Sequence, residues 1–187
     1  AIFSVVEAVM LRPLPYPAPQ QLAGLEMARP GNPEPSFGMP QFQFLHTHLH
    51  SFTALAGFRG MGTAEVRRGN TIAWENGMRV TADFFGVLSV EPRQGRGFTA
   101  EDEQAGSSGA MVLTDTAWRH DFNATPMLGQ PVAVDGGSYT VVGILPPGFT
   151  FAQGDYTIQY FFVAMQPGHG LEEGGLSTAI FGRLRPG

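Results

Sequence analysis

Residues 130–145, QPVAVDGGSYTVVGIL, decide how the rest of the chain is read. Two valine-rich runs flank Asp135-Gly136-Gly137. β-Branched residues suit a pleated, half-buried backbone, and Asp-Gly supplies the positive φ that a tight hairpin needs. The stretch predicts a β-hairpin. Upstream of it, GAMVL (109–113) reads as a buried strand. TDTAWRHDF (114–122) then reads as a helix capped by Thr114, with Ala117, Trp118 and Phe122 facing inward. Downstream, PPGFTF (146–151) is a rigid exit, YTIQYFFVAM (156–165) a strand-like run, and LSTAIFGRLRPG (176–187) ends in a strand. The 25 glycines and 15 prolines point the same way, to many turns and short elements.

Further toward the N-terminus the pattern mixes the two periods. QLAGLEMA (21–28) predicts a strand, and RPGNPEPSFGMP (29–40) a loop. MPQFQFLHTHLHSFTAL (39–55) predicts one helix, with Phe42, Leu45, Leu49 and Phe52 on its apolar face and Pro40 in its first turn. ALAGFRG (54–60) and AEVRRG (64–69) read as short strands, and TIAWENGMRVT (71–81) as a hairpin turning at Asn76-Gly77. TADFFGVL (81–88) predicts a short helix with Thr81 as its N-cap. In FTAEDEQAGSSG (98–109), Thr99 and Asp102 are spaced as a capping box. The fold class is therefore α+β, mixed sheets with short helices packed on them.

Composition excludes several functions. The 187 residues are 43% hydrophobic and 14% charged, with a net charge of −5, as suits a folding chain rather than a disordered one. No basic stripe runs along any element, so a nucleic-acid groove is not expected. The absence of cysteine removes thiolate catalysis, thiolate metal sites and disulfides.

The N-terminus raises its own question. AIFSVVEAVML (1–11) carries Ile2, Val5, Val6, Val9 and Met10 near one helical stripe. Arg12-Pro13 ends that pattern, and RPLPYPAP (12–19) reads as an extended polyproline strut. The apolar run is about half the roughly 20 residues a spanning helix needs. It lacks the basic start and cleavage site of a signal peptide. The chain also begins without methionine, and it reads as a piece of a longer protein.

The search for chemistry yields weak candidates. In HTHLH (46–50), His46 and His50 lie on one helical face and could hold a metal, with Asp83 or Glu101 as a further acid. Thr47 stands where a zinc-protease helix needs glutamate, so a solvated polar face is the plainer reading. Glu101-Asp102-Glu103 sits in a Gly/Ser-rich loop, where helix-end capping or solubility explains it. GSSG (106–109) fails the nucleophile-elbow pattern because Ala110 follows Ser108 at the second position. GFRGMG (57–62) lacks the lysine and spacing of a phosphate loop. Trp74, Trp118 and the 15 phenylalanines could line a ligand pocket or simply fill a core. No catalytic, cofactor-binding or metal residue is assigned. A metal-dependent hydrolase and a hydrophobic-ligand carrier stay open as alternatives.

Six blocks occur in order: IFSVVEAVMLRPLPYPAPQQL, SFTALAGFRG, RVTADFFGVLSVEPRQGRGFTAED, MVLTDTAW, LGQPVAVDGGSYTVVGILPPGF and FGRLRPG. Together they resemble the extracytoplasmic core domain of MacB-type ABC transporter permeases, the family with FtsX-like permease segments, and within it the large permeases of acidobacteria. Two positions depart from that pattern: Thr114, where the resemblance leads one to expect serine, and Ser89, where it leads one to expect glycine.

The resemblance implies that residues 1–20 hold the end of a transmembrane helix and the proline strut. It implies a membrane-proximal, porter-like subdomain from residues 21–60 and 155–187, with an inserted distal subdomain at 61–154. It further implies a non-catalytic periplasmic domain that transmits ATP-driven motion in export, efflux or lipoprotein-type mechanotransmission. The implied partners are the membrane-embedded remainder of the same permease, a cytoplasmic ATP-binding domain or subunit, and a second copy in a dimeric parent. In some members a periplasmic adaptor joins them. No cofactor is implied.

Overall fold

The computed structural model describes residues 2–6, 16–28, 37–153, 156–158, 160–165 and 178–186. The chain starts with strands β1 (Ile2–Val6) and β2 (Leu22–Ala28), then helix α1 (Met39–His48) and strands β3 (Phe52–Arg68) and β4 (Thr71–Val80). Helix α2 (Phe84–Leu88), strands β5 (Gln94–Gly95) and β6 (Ala110–Leu113), and helix α3 (Asp115–Asp121) follow. The remainder is strands: β7 (Pro131–Val134), β8 (Gly137–Ile144), β9 (Phe151–Gln153), β10 (Tyr156–Ile158), β11 (Phe161–Ala164) and β12 (Ala179–Leu184). Parallel and antiparallel pairings mix and the helices are short, as an α+β fold requires.

The chain divides into two compact units: Ala1–Arg59 with Asp83–Val90 and Pro167–Gly187, and Gly60–Ala82 with Glu91–Gln166. Strand β3 contributes its first half to one and its second half to the other. These bounds differ from the expected insertion at 61–154. Helix α2 belongs to the first unit because Phe84 packs edge-on against Phe58 and Phe181, at centroid distances of 6.2 and 5.4 Å. Strand β11 belongs to the second unit because it pairs with both β4 and β6.

In the first unit, β2 lies between β1 and β12, and β12 pairs in turn with the start of β3. Alternation along β12 sends Ile180 and Phe181 to opposite faces. Ile180 joins Leu25, Phe37, Phe42, Leu45 and Leu55 under α1, while Phe181 joins the phenylalanine cluster of α2.

In the second unit the pairings close on themselves. The second half of β3 adjoins β4, β4 pairs with β11, β11 with β6, β6 with β8, β8 with β7, and β7 returns to β3 at Val66↔Val134. Closing a sheet removes its exposed edges. The interior is filled by alternate side chains, among them Val66, Met111, Leu113, Val132, Val141 and Val163. The opening hairpin behaves as its sequence dictates: Val134 faces Gly137 in register, and Asp135 and Gly136 take φ of 49 and 77°.

Several expectations are corrected. Residues Ile2–Val6 form a strand, not part of a helix, since β-branched residues meet the free edge of β2 over the whole run from Ile2↔Ala28 to Val6↔Gly24. Residues 7–15, with most of the strut, lie outside the described residues. Past that point the chain is not extended: Ala18 is left-handed, with φ 46 and ψ 59°, and opens a 3-10 turn at Pro19–Gln21. Helix α1 stops at His48, and Phe52 opens β3 instead of extending the helix. The two strands expected at 54–69 are one strand. Asn76-Gly77 lies inside β4, with Gly77 held opposite Phe161, and the turn falls at Gly69-Asn70 instead. Thr81 does not cap α2; Asp83 occupies that position. The run 156–165 is two strands, β10 and β11.

Candidate functional site

The three histidines do not converge on a metal. His46 on α1 reaches Asp83, with Nε2 3.0 Å from Oδ2, and both side chains are about half exposed. His48 turns back onto its own helix, stacking on Phe44 at 4.2 Å with Nδ1 2.9 Å from the Phe44 carbonyl. His50 is exposed just past the end of α1, and Glu101 belongs to the second unit. Among the described residues, no three His, Cys, Asp or Glu side chains are placed to share a metal ion. The structure thus joins only His46 and Asp83 of the hydrolase set, in an exposed pair.

Of the acidic run 101–103, Asp102 and Glu103 are structural, in keeping with the capping half of the sequence reading, while Glu101 is exposed. Asp102 is only 8% exposed. Its carboxylate accepts both ends of the Arg96 guanidinium, at 2.6 and 3.0 Å, and the Thr99 backbone N–H at 2.8 Å. That last bond is half of the expected capping box, although a turn and not a helix follows. Burial alone would raise the Asp102 carboxyl, but the bonds from Arg96 and Thr99 outweigh it and hold it below the usual carboxylate range. Glu103 accepts the Ala82 N–H at 2.6 Å, in the turn that leads toward α2. The block PRQGRGFTAED is therefore a staple: β5 pairs with β8, and Arg96 locks the following turn through Asp102.

A second charged cluster was not foreseen, because Asp121 is distant in sequence and the hairpin that pairs Arg68 with Glu75 turns at Gly69-Asn70, not at Asn76-Gly77. Arg68 at the end of β3 pairs with Glu75 on β4 and, at 3.0 Å, with Asp121 on α3. Two carboxylates share one guanidinium, and all three side chains are largely buried. Burial raises the Asp121 carboxyl above its ordinary range; Arg68 opposes this, while the negative charge of Glu75 adds to it. Around these groups the second unit encloses about 10 Å³, room for no more than one water. A wider cleft of about 410 Å³ beside it is lined by polar side chains such as Arg67, Arg68 and Gln130 and apolar ones such as Phe122, Met127 and Val132, and it is open. Neither space is the enclosed apolar cavity of several hundred Å³ that a hydrophobic-ligand carrier needs.

The remaining sequence candidates are structural or exposed. Thr114 caps α3 as expected, accepting the Ala117 N–H at 3.1 Å. Trp118 is buried, with its indole N–H donating to the Thr125 carbonyl at 2.7 Å and the guanidinium groups of Arg93 and Arg119 against its ring. Ser107 of GSSG donates to the Asp102 carbonyl, which fixes the staple loop. Trp74 is 66% exposed on β4, and Ile72, two residues before it on the same face, is 48% exposed. Among the described residues no helix is long and apolar enough to cross a membrane.

Comparison with known proteins supplies a family. No curated protein matches the chain. Among solved structures, the periplasmic region of MacB from Actinobacillus actinomycetemcomitans aligns with a TM-score of 0.62 at 14% identity, over 80% of this chain and 65% of that one. The chain thus spans somewhat less than two thirds of that region. The extracellular domain of the noncanonic ABC-type transporter YknZ from Gram-positive bacteria gives 0.63 at 16% identity, over 81% and 75% of the two chains. A domain described as part of a permease protein from Porphyromonas gingivalis gives 0.66 at 16%, over 92% and 78%. At these identities the likeness speaks for the fold. The sequence itself matches the family described as the MacB-like periplasmic core domain over residues 1–187, and the chain belongs to that family.

Proposed function

We propose that this domain is a non-catalytic, extracytoplasmic part of an ABC-type permease and relays motion driven by ATP hydrolysis elsewhere in the assembly. The observation that carries the reading is the family match along all 187 residues. The polar groups of the chain support it: the Arg96–Asp102 staple, the Arg68 cluster and the Thr114 cap each hold backbone elements together. In this reading the segments before β2 and after β12 connect the first unit to the membrane-embedded remainder. A cytoplasmic ATP-binding domain or subunit supplies the energy, two copies of the permease work together, and cargo or a periplasmic adaptor receives the movement.

Movement can be tested without knowing the cargo. A spin label at Trp74→Cys, an exposed site in a cysteine-free segment, reports one distance between the two copies of the full-length protein. The distance distribution is expected to change between the nucleotide-free and vanadate-trapped states. An unchanged distribution, while labels on the ATP-binding domains show those domains closing, overturns the reading.

A further inference from the structure

Arg183 on β12 uses all three guanidinium nitrogens to bridge two other stretches of the first unit, residues 17–21 and the end of α2. Its Nε–H donates to the Val87 carbonyl at 2.9 Å. Its Nη1 donates to the Ala18 carbonyl at 3.3 Å and to Gln21 Oε1 at 3.2 Å, and its Nη2 to the Pro17 carbonyl at 3.1 Å. All of these residues belong to the first unit. The four acceptors are neutral oxygens, so this is a device of geometry and not a charge pair. Only a planar fork of donors serves oxygens spread over so wide an arc; a lysine ammonium offers a single centre.

Two of the acceptors have a reason to need this donor. Val87 lies in the last turn of α2, where helix carbonyls lack partners within the helix, and a basic side chain can satisfy them. Ala18 is left-handed without being glycine, a conformation that persists only where its surroundings enforce it. Its carbonyl takes the Gln21 N–H at 3.0 Å as well as the guanidinium. Immediately before Pro17, Tyr16 is buried, and burial pushes its hydroxyl up to about 12. The backbone of Arg183 is held too: its carbonyl accepts from Thr53 Oγ1 at 3.0 Å, and the next residue but one, Arg185, donates its N–H to the Ser51 carbonyl at 3.0 Å.

We infer that Arg183 is a clasp: it fixes the segment that enters β2, the end of α2 and the closing strand β12 as one rigid body. Under the proposed function this clasp makes the two membrane connections move together, and that consequence rests on the proposal above. The clasp itself rests on the first unit alone.

Hydrogen–deuterium exchange on the full-length protein tests it. With Arg183→Ala, amides in 16–21 and 87–90 are expected to exchange at least about tenfold faster, while β6, β7 and β8 keep their protection. Should Arg183→Ala unfold the first unit, Arg183→Lys is read instead: it keeps the charge and the stem, and the same two segments are expected to loosen. Unchanged protection at 16–21 and 87–90 in the folded variant overturns the clasp. A normal Trp74 distance change in a variant with loosened segments would keep the clasp and remove only its mechanical consequence.

Discussion

Ser89 closes α2 with φ 55 and ψ 43°, and its N–H donates to the Gly86 carbonyl at 3.0 Å. A left-handed residue just past a helix is the position glycine fills most easily, because a Cβ there costs about 1–2 kcal/mol. The family resemblance leads one to expect glycine at this position, so the departure could be seen in the sequence while its cost could not. Glycine returns part of the gain through its larger unfolded-state entropy, about 0.5–1 kcal/mol. Ser89→Gly should therefore stabilise the first unit by about 0.5 kcal/mol, whereas Ser89→Ala should give no gain. Urea unfolding of both variants checks this, and an equal effect of the two substitutions would show that the backbone strain is not what matters. The other departure, Thr114, is neutral for the same local reason that made it legible: threonine and serine both carry the hydroxyl that an N-cap uses.

At the scale of elements, what could be read depended on whether the deciding contacts are local. The hairpin of β7 and β8 and the capped helix α3 follow from neighbours in sequence, and both stand where the sequence puts them. Strand β1, the early end of α1 and the straight run of β4 through Asn76-Gly77 are decided by pairing with distant strands, which local propensity does not see. The pair Gly95↔Gly143 between β5 and β8 belongs to the second kind. Both read as ordinary turn or strand glycines, yet a Cβ on Gly143 would lie 2.2 Å from the Arg96 carbonyl oxygen and one on Gly95 2.1 Å from the Val142 oxygen. The obstacle is backbone on both sides, so no rotamer can relieve it. Gly143→Ala should cost about 2–4 kcal/mol by pushing β5 off β8 and disturbing the Arg96–Asp102 staple. Both tryptophans lie in the second unit, so their fluorescence during urea unfolding reports this loss; a cost within about 1 kcal/mol would mean that the strands separate easily.

On the scale of the whole molecule, the closed circuit of strands in the second unit was hidden in the sequence, since the links β3 to β7 and β6 to β8 join segments far apart in the chain. The long-range packing of α3 brings Asp121 to the Arg68–Glu75 pair of the β3–β4 hairpin, which is why no spacing announced that cluster. Asp121 here and Asp102 in the local staple give the unit two acids that respond to pH with opposite sign. Asp102 is held below its usual range, so the stability it contributes is present above about pH 4 and lost as pH falls through its folded value. Asp121 is raised, so its contribution is complete below about pH 4 and lost as pH rises through its folded value. Coming down from neutral pH, proton uptake at Asp121 stabilises the unit first, and protonation of Asp102 destabilises it afterwards. The second unit should therefore be most stable in mild acid, short of the pH at which Asp102 protonates. Urea midpoints followed by tryptophan fluorescence across this range trace the curve. Asp121→Asn should flatten its rise and Asp102→Asn its fall. A curve that Asp102→Asn leaves unchanged would mean that the Arg96 pair adds nothing to the fold, and that the staple is held by the Thr99 turn and the β5–β8 pairing alone.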